Sequence, residues 1–163
     1  MNKAGTTLQT TFNSRQYQPT DLDKVMRINQ VCLPENYSPD FFIDLYDRFP
    51  ATFIVAEAEG KVVGYIMCRI ETNLFGFGNG KKGHVISIAV LPEYQHSGIG
   101  KALMIEALQN MQKFYKAREC YLEVRISNVP AITMYRNLGF AIRRTLHGYY
   151  ADNESAYMMT KKL

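Results

Sequence analysis

An apolar, β-branched run, His84 to Leu91, ends at Pro92 and is followed by Gln95-His96-Ser97-Gly98-Ile99-Gly100-Lys101. This order constrains the fold most. The run predicts a central strand. Leu103, Ala107, Met111 and Phe114/Tyr115 recur at helical spacing and predict a helix opening at Gly98. A strand that passes through a glycine loop into a helix calls for a sheet with that helix packed on it. Glycines let the backbone approach a ligand closely. The first-turn N–H groups have no partner inside the helix, so this turn can hold an anion. It is not a Walker loop, because the Gly-Lys-Ser/Thr ending is absent. It is not a dinucleotide fingerprint either, because the leading glycine and the acidic residue downstream are missing. The chemical reading is a diphosphate cradle. Ordinary helix–sheet packing would put the same glycines there.

The rest of the chain supplies the layers. Met1 to Gln16 reads as a flexible leader and Tyr17-Gln18-Pro19 as a short first strand. Thr20 reads as the cap of a helix that stops near Leu33-Pro34, since a residue before proline avoids the helical region. Ser38-Pro39 restarts a helix with Phe41, Phe42, Leu45 and Tyr46 on its apolar face. Thr52 to Ala56 and Val62 to Ile70 form a hairpin about Glu59-Gly60, and Asn73 to Lys82 reads as a mobile loop. After the Gly98 helix come a strand at Tyr121–Arg125, a helix from Asn128-Val129-Pro130 and a left-handed cap at Gly139. Strands at Phe140–His147 and Ala156–Lys162 close the chain. The order is β-α-α-β-β-β-α-β-α-β-β. It predicts one α/β domain over residues 17–163, with a mixed sheet of about six to seven strands and about four flanking helices.

Composition removes several function classes. With 163 residues, 47% hydrophobic and 21% charged, the chain can bury a core. A net charge of +4 is too weak and too scattered for a nucleic-acid surface, yet suits an anionic small ligand. Three separated cysteines and three histidines cannot make a closed zinc site, so no metal is expected. The free thiols fit a reducing, cytoplasmic setting. No apolar run is long enough to cross a bilayer, and the first residues lack the apolar core of a secretory signal.

Two segments identify a resemblance. Gln95-His96-Ser97-Gly98-Ile99-Gly100 resembles motif A of the GNAT acetyltransferases, Arg/Gln-x-x-Gly-x-Gly/Ala. Downstream, Asn128-Val129-Pro130-Ala131, Tyr135 and Gly139-Phe140 resemble motif B, Asn-x-x-Ala-x-x-x-Tyr-x-x-x-Gly-Phe. Leu33-Pro34-Glu35-Asn36-Tyr37, Lys82 to Val90 and Gly148-Tyr149-Tyr150-Ala151-Asp152 narrow it to archaeal and Ard-type protein N-terminal acetyltransferases, with RimI-type enzymes as relatives. The resemblance runs from about Tyr17 to Leu163. Relatives often carry two arginines where this chain has Gln95-His96. Backbone amides and Lys101 are then left with more of the diphosphate.

The resemblance implies the GNAT fold, splayed central strands and acetyl-CoA as co-substrate. It places Ile88, Ala89 and Val90 backbone groups on the pantetheine and the acetyl carbonyl. It wraps the diphosphate with Gln95, His96, Ser97, Gly98, Ile99, Gly100 and Lys101, and puts Asn128 on the pantetheine arm. It puts Tyr135 near sulfur, as the acid for the departing thiolate. Glu123 is the matching general base, and His84, on the neighbouring strand, has a suitable intrinsic pKa. Glu35 is a third catalytic candidate beside Glu123 and His84; its loop walls the acceptor groove, where it attracts the ammonium or tunes the accepted first residue, while Tyr37, Tyr149 and Tyr150 bond the peptide.

Each residue also has a plainer reading. Tyr135 can be a core tyrosine, Glu35 a solvated loop acid, and the three tyrosines edge-strand packing. With no base paired to Cys120, direct transfer in a ternary complex is expected, not an acetyl-cysteine intermediate. The implied reaction is acetylation of protein N-terminal α-amines, with ribosome or auxiliary-subunit association as possible partners and neither nucleic acid nor membrane. The alternatives are acetylation of lysine or a small amine, and a CoA-binding sensor or subunit without turnover.

Overall fold

The computed structural model describes residues 10–72 and 80–163. Seven strands form one mixed sheet: β1 (Phe12–Gln16), β2 (Phe53–Ala58), β3 (Lys61–Thr72), β4 (Lys81–Val90), β5 (Ala117–Arg125), β6 (Ala141–Leu146) and β7 (Ala156–Lys162). Among the described residues four α-helices flank it: α1 (Leu22–Cys32), α2 (Pro39–Arg48), α3 (Ile99–Tyr115) and α4 (Val129–Asn137). The spatial order is β1-β2-β3-β4-β5-β7-β6. Every neighbouring pair is antiparallel except β4 with β5. This is the mixed sheet and helix order read from the sequence.

Strand alternation divides the core in two. In β2, Phe53 and Val55 pack toward Phe42, Leu45 and Val25 of α1 and α2, while Ile54 and Ala56 pack toward Leu103, Met104 and Ala107 of α3. Both faces are covered, so β2 reads as an apolar run, not as an alternation. α3 approaches the sheet closely at Gly83, where a Cβ would lie 2.2 Å from Met111 Sδ. Gly139 takes the left-handed cap, with φ +91°.

Three expectations need correction. The first strand is Phe12–Gln16, not Tyr17-Gln18-Pro19. Its polar residues serve as an edge strand, paired from Phe12 with Ala58 to Gln16 with Ile54. Tyr17 instead stacks on Phe53 at 4.0 Å, and Pro19 opens a 3-10 turn. The leader boundary at residue 16 therefore moves back; residues 1–9 lie outside the described residues.

Second, α1 is capped from Asp21, not Thr20. Asp21 is buried because its carboxylate accepts two Arg15 N–H bonds, at 2.7 and 3.0 Å, and the Gln18 amide at 3.0 Å. Third, Lys81 and Lys82 belong to β4, held by pairing with Thr72 and Glu71. The expected loop shrinks accordingly, and residues 73–79 of it lie outside the described residues.

Candidate active site

The parallel pair β4 and β5 is joined only from Lys81–Ala117 to His84–Tyr121. Both strands continue, to Val90 and Arg125, but they no longer pair. This is the splay that the resemblance implied. A register shift at Met67/Cys68 pairs Met67 with Ser87 and Cys68 with Val85, which bulges β4 at Ile86. The parted strands open a cavity of about 650 Å³. Ile86, Ser87 and Ile88 line one side, and Leu122, Glu123 and Val124 the other. Leu33, Pro34, Glu35 and Tyr37 of the α1–α2 loop and Tyr149–Ala151 of the β6–β7 loop supply the walls, and Asn128 and Tyr135 also line it.

At the point of divergence two of the three candidate bases, His84 and Glu123, meet. His84 Nε2 lies 2.7 Å from Glu123 Oε2. The ring is 8% exposed and stacks on Tyr121 at 4.1 Å. Tyr135 is 5% exposed on α4, and burial pushes its phenol well above the ordinary range. The hydroxyl therefore stays protonated and can donate toward the cavity. Burial also widens the pKa gap across which it would give up a proton to a thiolate.

The acceptor side is held by a residue that sequence reading missed. Arg125 sits two positions after Glu123 on the same face of β5. It bonds Glu35 at 2.5 Å, Glu154 at 2.7 Å and Asp152 at 2.8 Å, and lies 4.0 Å over the Tyr150 ring. One guanidinium thus clasps the α1–α2 loop to the β6–β7 loop. Glu35 is consequently not a solvated loop acid but half of an ion pair. A second unforeseen group anchors the same loop from below. Asn29, buried in α1, donates to the Glu35 carbonyl at 3.1 Å and to Tyr65 Oη at 3.0 Å, and Tyr65 reaches Ser87 at 2.7 Å. A buried asparagine inside an apolar helix face was the available signal for it. Tyr37 donates to the Ile86 carbonyl at 3.4 Å, and Tyr149 meets Tyr150 edge to face at 5.0 Å. Burial, with Glu35 or Glu123 nearby, raises all three tyrosine pKa values.

The candidate cofactor loop is shaped by its backbone. His96 and Gly98 adopt φ of +59° and +87°. Gly98 caps α3, and a Cβ there would meet nothing within 4 Å. The glycine is therefore demanded by conformation, not by crowding. Ile99 is buried, Gly100 lies beside Met134, and Lys101 is exposed. Two side chains are turned away from a diphosphate role. Gln95 donates to the Val90 carbonyl at 2.9 Å, and Ser97 donates to the Tyr94 carbonyl at 2.5 Å. Val90 thereby has its carbonyl engaged, and Asn128 Oδ1 caps α4 through the Ala131 amide at 3.3 Å. Ile88 lines the cavity, whereas Ala89 is buried.

The geometry fits a coenzyme A thioester: an extended ligand can lie between the strand edges that part, with its phosphates at the first turn of α3. A proton acceptor pair lies where the strands diverge, a phenol lines the opening, and tyrosines with an ion-paired clasp wall an acceptor groove. Such a site can take a proton from an amine beside a polarised carbonyl.

Comparison with known proteins agrees. The acetyltransferase (GNAT) family matches residues 22–140. An N-alpha-acetyltransferase of Sulfurisphaera tokodaii is 47% identical over 159 residues, covering 93% of each chain. The catalytic subunit of the Arabidopsis thaliana N-terminal acetyltransferase B complex is 37% identical over 150 residues, covering 91% of this chain and 84% of that one. Among solved structures, Ard1 from Thermoplasma volcanium superposes with a TM-score of 0.82 at 30% identity, covering 93% of this chain and 97% of that one. Arabidopsis thaliana Naa50 in complex with the bisubstrate analogue CoA-Ac-MVNAL gives 0.80 at 25% identity, covering 93% and 99%.

Proposed function

This chain belongs to the GNAT acetyltransferase family, and on that premise we propose that it acetylates protein and peptide N-terminal α-amines from acetyl-CoA in a ternary complex. The observation that carries the reading is the Glu123–His84 pair, at 2.7 Å, beside a groove walled by Glu35, Tyr37, Tyr149 and Tyr150. Bound acetyl-CoA supplies an activated acetyl thioester. The Ile88, Ala89 and Val90 backbone and the Gln95–Lys101 turn hold it, with the first-turn amides of α3 taking the diphosphate. Asn128 retains a free amide N–H pair for the pantetheine arm.

An α-amine has a pKa near 8, so a modest fraction is already neutral at pH 7 and the rest gives up its proton to a weak base. Glu123, coupled to His84, accepts it. Tyr135 remains protonated and donates toward sulfur as the thiolate leaves. Tyr37, Tyr149 and Tyr150 orient the peptide backbone. Glu35, held by Arg125, shapes the space for the first residue instead of standing as a bare ammonium trap. A lysine ε-amine, with a pKa of about 10.4, would ask for a much stronger base.

The three free cysteines support a cytoplasmic setting. Burial pushes the thiols up, that of Cys120 to about 12, which makes them poor nucleophiles and favours direct transfer. A relative that serves as the catalytic subunit of a complex supports an auxiliary partner for this chain, and ribosome association extends that reading. RimI-type kinship belongs to the same proposal.

The test is a peptide panel in which each member has a free α-amine and one internal lysine, with tandem mass spectrometry to locate the acetyl group. Acetyl on the α-amine, graded by first residue, is expected. Acetyl on lysine overturns the acceptor. Acetyl-CoA binding without transfer to any amine favours the sensor.

A further inference from the structure

The acid–base pair has a second layer that the mechanism above leaves unused. His84 Nδ1 is buried and makes no hydrogen bond among the described residues, and Glu71 Oε1 stands 3.4 Å from it. A buried imidazole nitrogen facing a carboxylate is unfavourable as a lone pair and favourable as an N–H. Glu71 is itself fixed. Tyr121 donates to its Oε2 at 2.6 Å, and Arg69 Nε to its Oε1 at 2.7 Å. Tyr121 also carries the ring on which His84 stacks. The imidazole thus lies between two carboxylates, Glu123 at Nε2 and Glu71 at Nδ1.

We propose that Glu71 is a positioning residue of the acid–base centre: it orients His84, stabilises its imidazolium and lets the reaction's proton leave by a second cavity. The proposal rests on the α-amine reading above. That cavity, of about 660 Å³, is lined by Glu71, Tyr121 and Glu123, and Glu123 also lines the acceptor groove. Glu71 is 36% exposed, so water reaches it. The charged and titratable groups around the pair are Arg69 and Glu71 on β3, Lys82 on β4, and Glu119, Tyr121 and Glu123 on β5. Arg143, Arg144 and Tyr149 from the β6–β7 side, and Tyr37 of the α1–α2 loop, complete them.

The protons balance. Of the three on the ammonium, one stays on the amide nitrogen as the N–C bond forms. One ends on the thiol as the C–S bond breaks. The third passes through Glu123 to His84 Nε2, and the Nδ1 proton leaves through the Glu71 carboxylate to the water of the second cavity.

The experiment compares wild type, Glu71→Gln and Tyr121→Phe on an α-amine peptide across pH. Removing the Glu71 charge withdraws a carboxylate from the proton path, so the acidic limb of the kcat profile moves to lower pH and kcat at pH 7 falls about tenfold, the scale of one weakened proton transfer. KM for acetyl-CoA does not change. Tyr121→Phe, which keeps the stacked ring, shifts both in the same direction by less, and carries the test if Glu71→Gln does not fold.

An acidic limb that does not move in either variant overturns the proposal; a loss of kcat without that shift marks a merely structural role. Wild type that transfers to no α-amine overturns the functional reading and the relay with it. An active wild type with insensitive variants overturns the relay alone.

Discussion

Two parts of this site are built by opposite means. Between Gln95 and Lys101 the backbone makes the feature: two left-handed residues turn the chain so that the first amides of α3 are free, while Gln95 and Ser97 spend their side chains on local carbonyls. Across the groove, side chains from distant segments make the feature. Glu35, Glu123, Arg125, Glu154 and Tyr150 come from two loops and a strand, and one guanidinium joins most of them. A backbone-built site tolerates changes of side chain but not of conformation. A side-chain-built site has the reverse sensitivity.

The sharpest separation should come from Glu123→Gln. Removing the proposed proton acceptor should lower kcat by about a hundredfold or more, within the range for a general base, while acetyl-CoA affinity measured by calorimetry stays the same. A parallel loss of cofactor affinity would show that the two parts are not independent.

Next is Gly98→Val. A β-branched residue at φ +87° costs about 1–2 kcal/mol in the left-handed region. Acetyl-CoA binding weakens about tenfold if that strain is released by reshaping the turn, with the peptide KM unmoved. Lys101→Ala, which leaves the backbone alone, has a smaller effect on the same measurement, because an exposed lysine contributes as a screened point charge.

Arg125→Gln breaks the clasp and tests the other half. Peptide KM rises about fivefold and discrimination among first residues flattens, as expected when an ordered pair of loops loosens. A fall in kcat at constant KM would place Arg125 in the chemistry instead.

The smallest effect is a convergence with acid. Asp152 is held below its usual range by the Glu154 amide and Arg125, and Glu154 by Ser127 and Arg125. Carboxylates with depressed folded pKa values stabilise above their unfolded values and lose that contribution as pH falls through the folded ones. The difference in Tm between wild type and Arg125→Gln should therefore shrink as pH drops below about 4. A difference that persists in acid would mean that the Arg125 ring contact, not its ion pairs, holds the loops.

The same contrast explains what was legible in the sequence. The Gly-x-Gly turn and α4 are contiguous, so their motifs can be read directly, and the helix order and sheet composition followed from periodicity. Glu123 and His84 were each identifiable, but their contact depends on where β4 and β5 stop pairing. Arg125, Glu71 and Asn29 have no local signature. Arg125 needed the alternation rule carried one step past Glu123, and Asn29 needed the observation that a polar residue shares a face with Val25 and Ile28. The first strand was missed because Phe12–Gln16 is mostly polar, and only its pairing with β2 reveals it.

The unpaired inner edges of β4 and β5 also bear on stability. Folding leaves those edges incomplete, so a ligand laid between them adds directly to the free energy of unfolding. By mass action, a co-substrate present at a hundredfold excess over its Kd contributes about 2.7 kcal/mol. Resistance to heat and proteolysis should then rise and fall with the acetyl-CoA pool, and the abundance of the enzyme would be tied to the supply of the group it transfers.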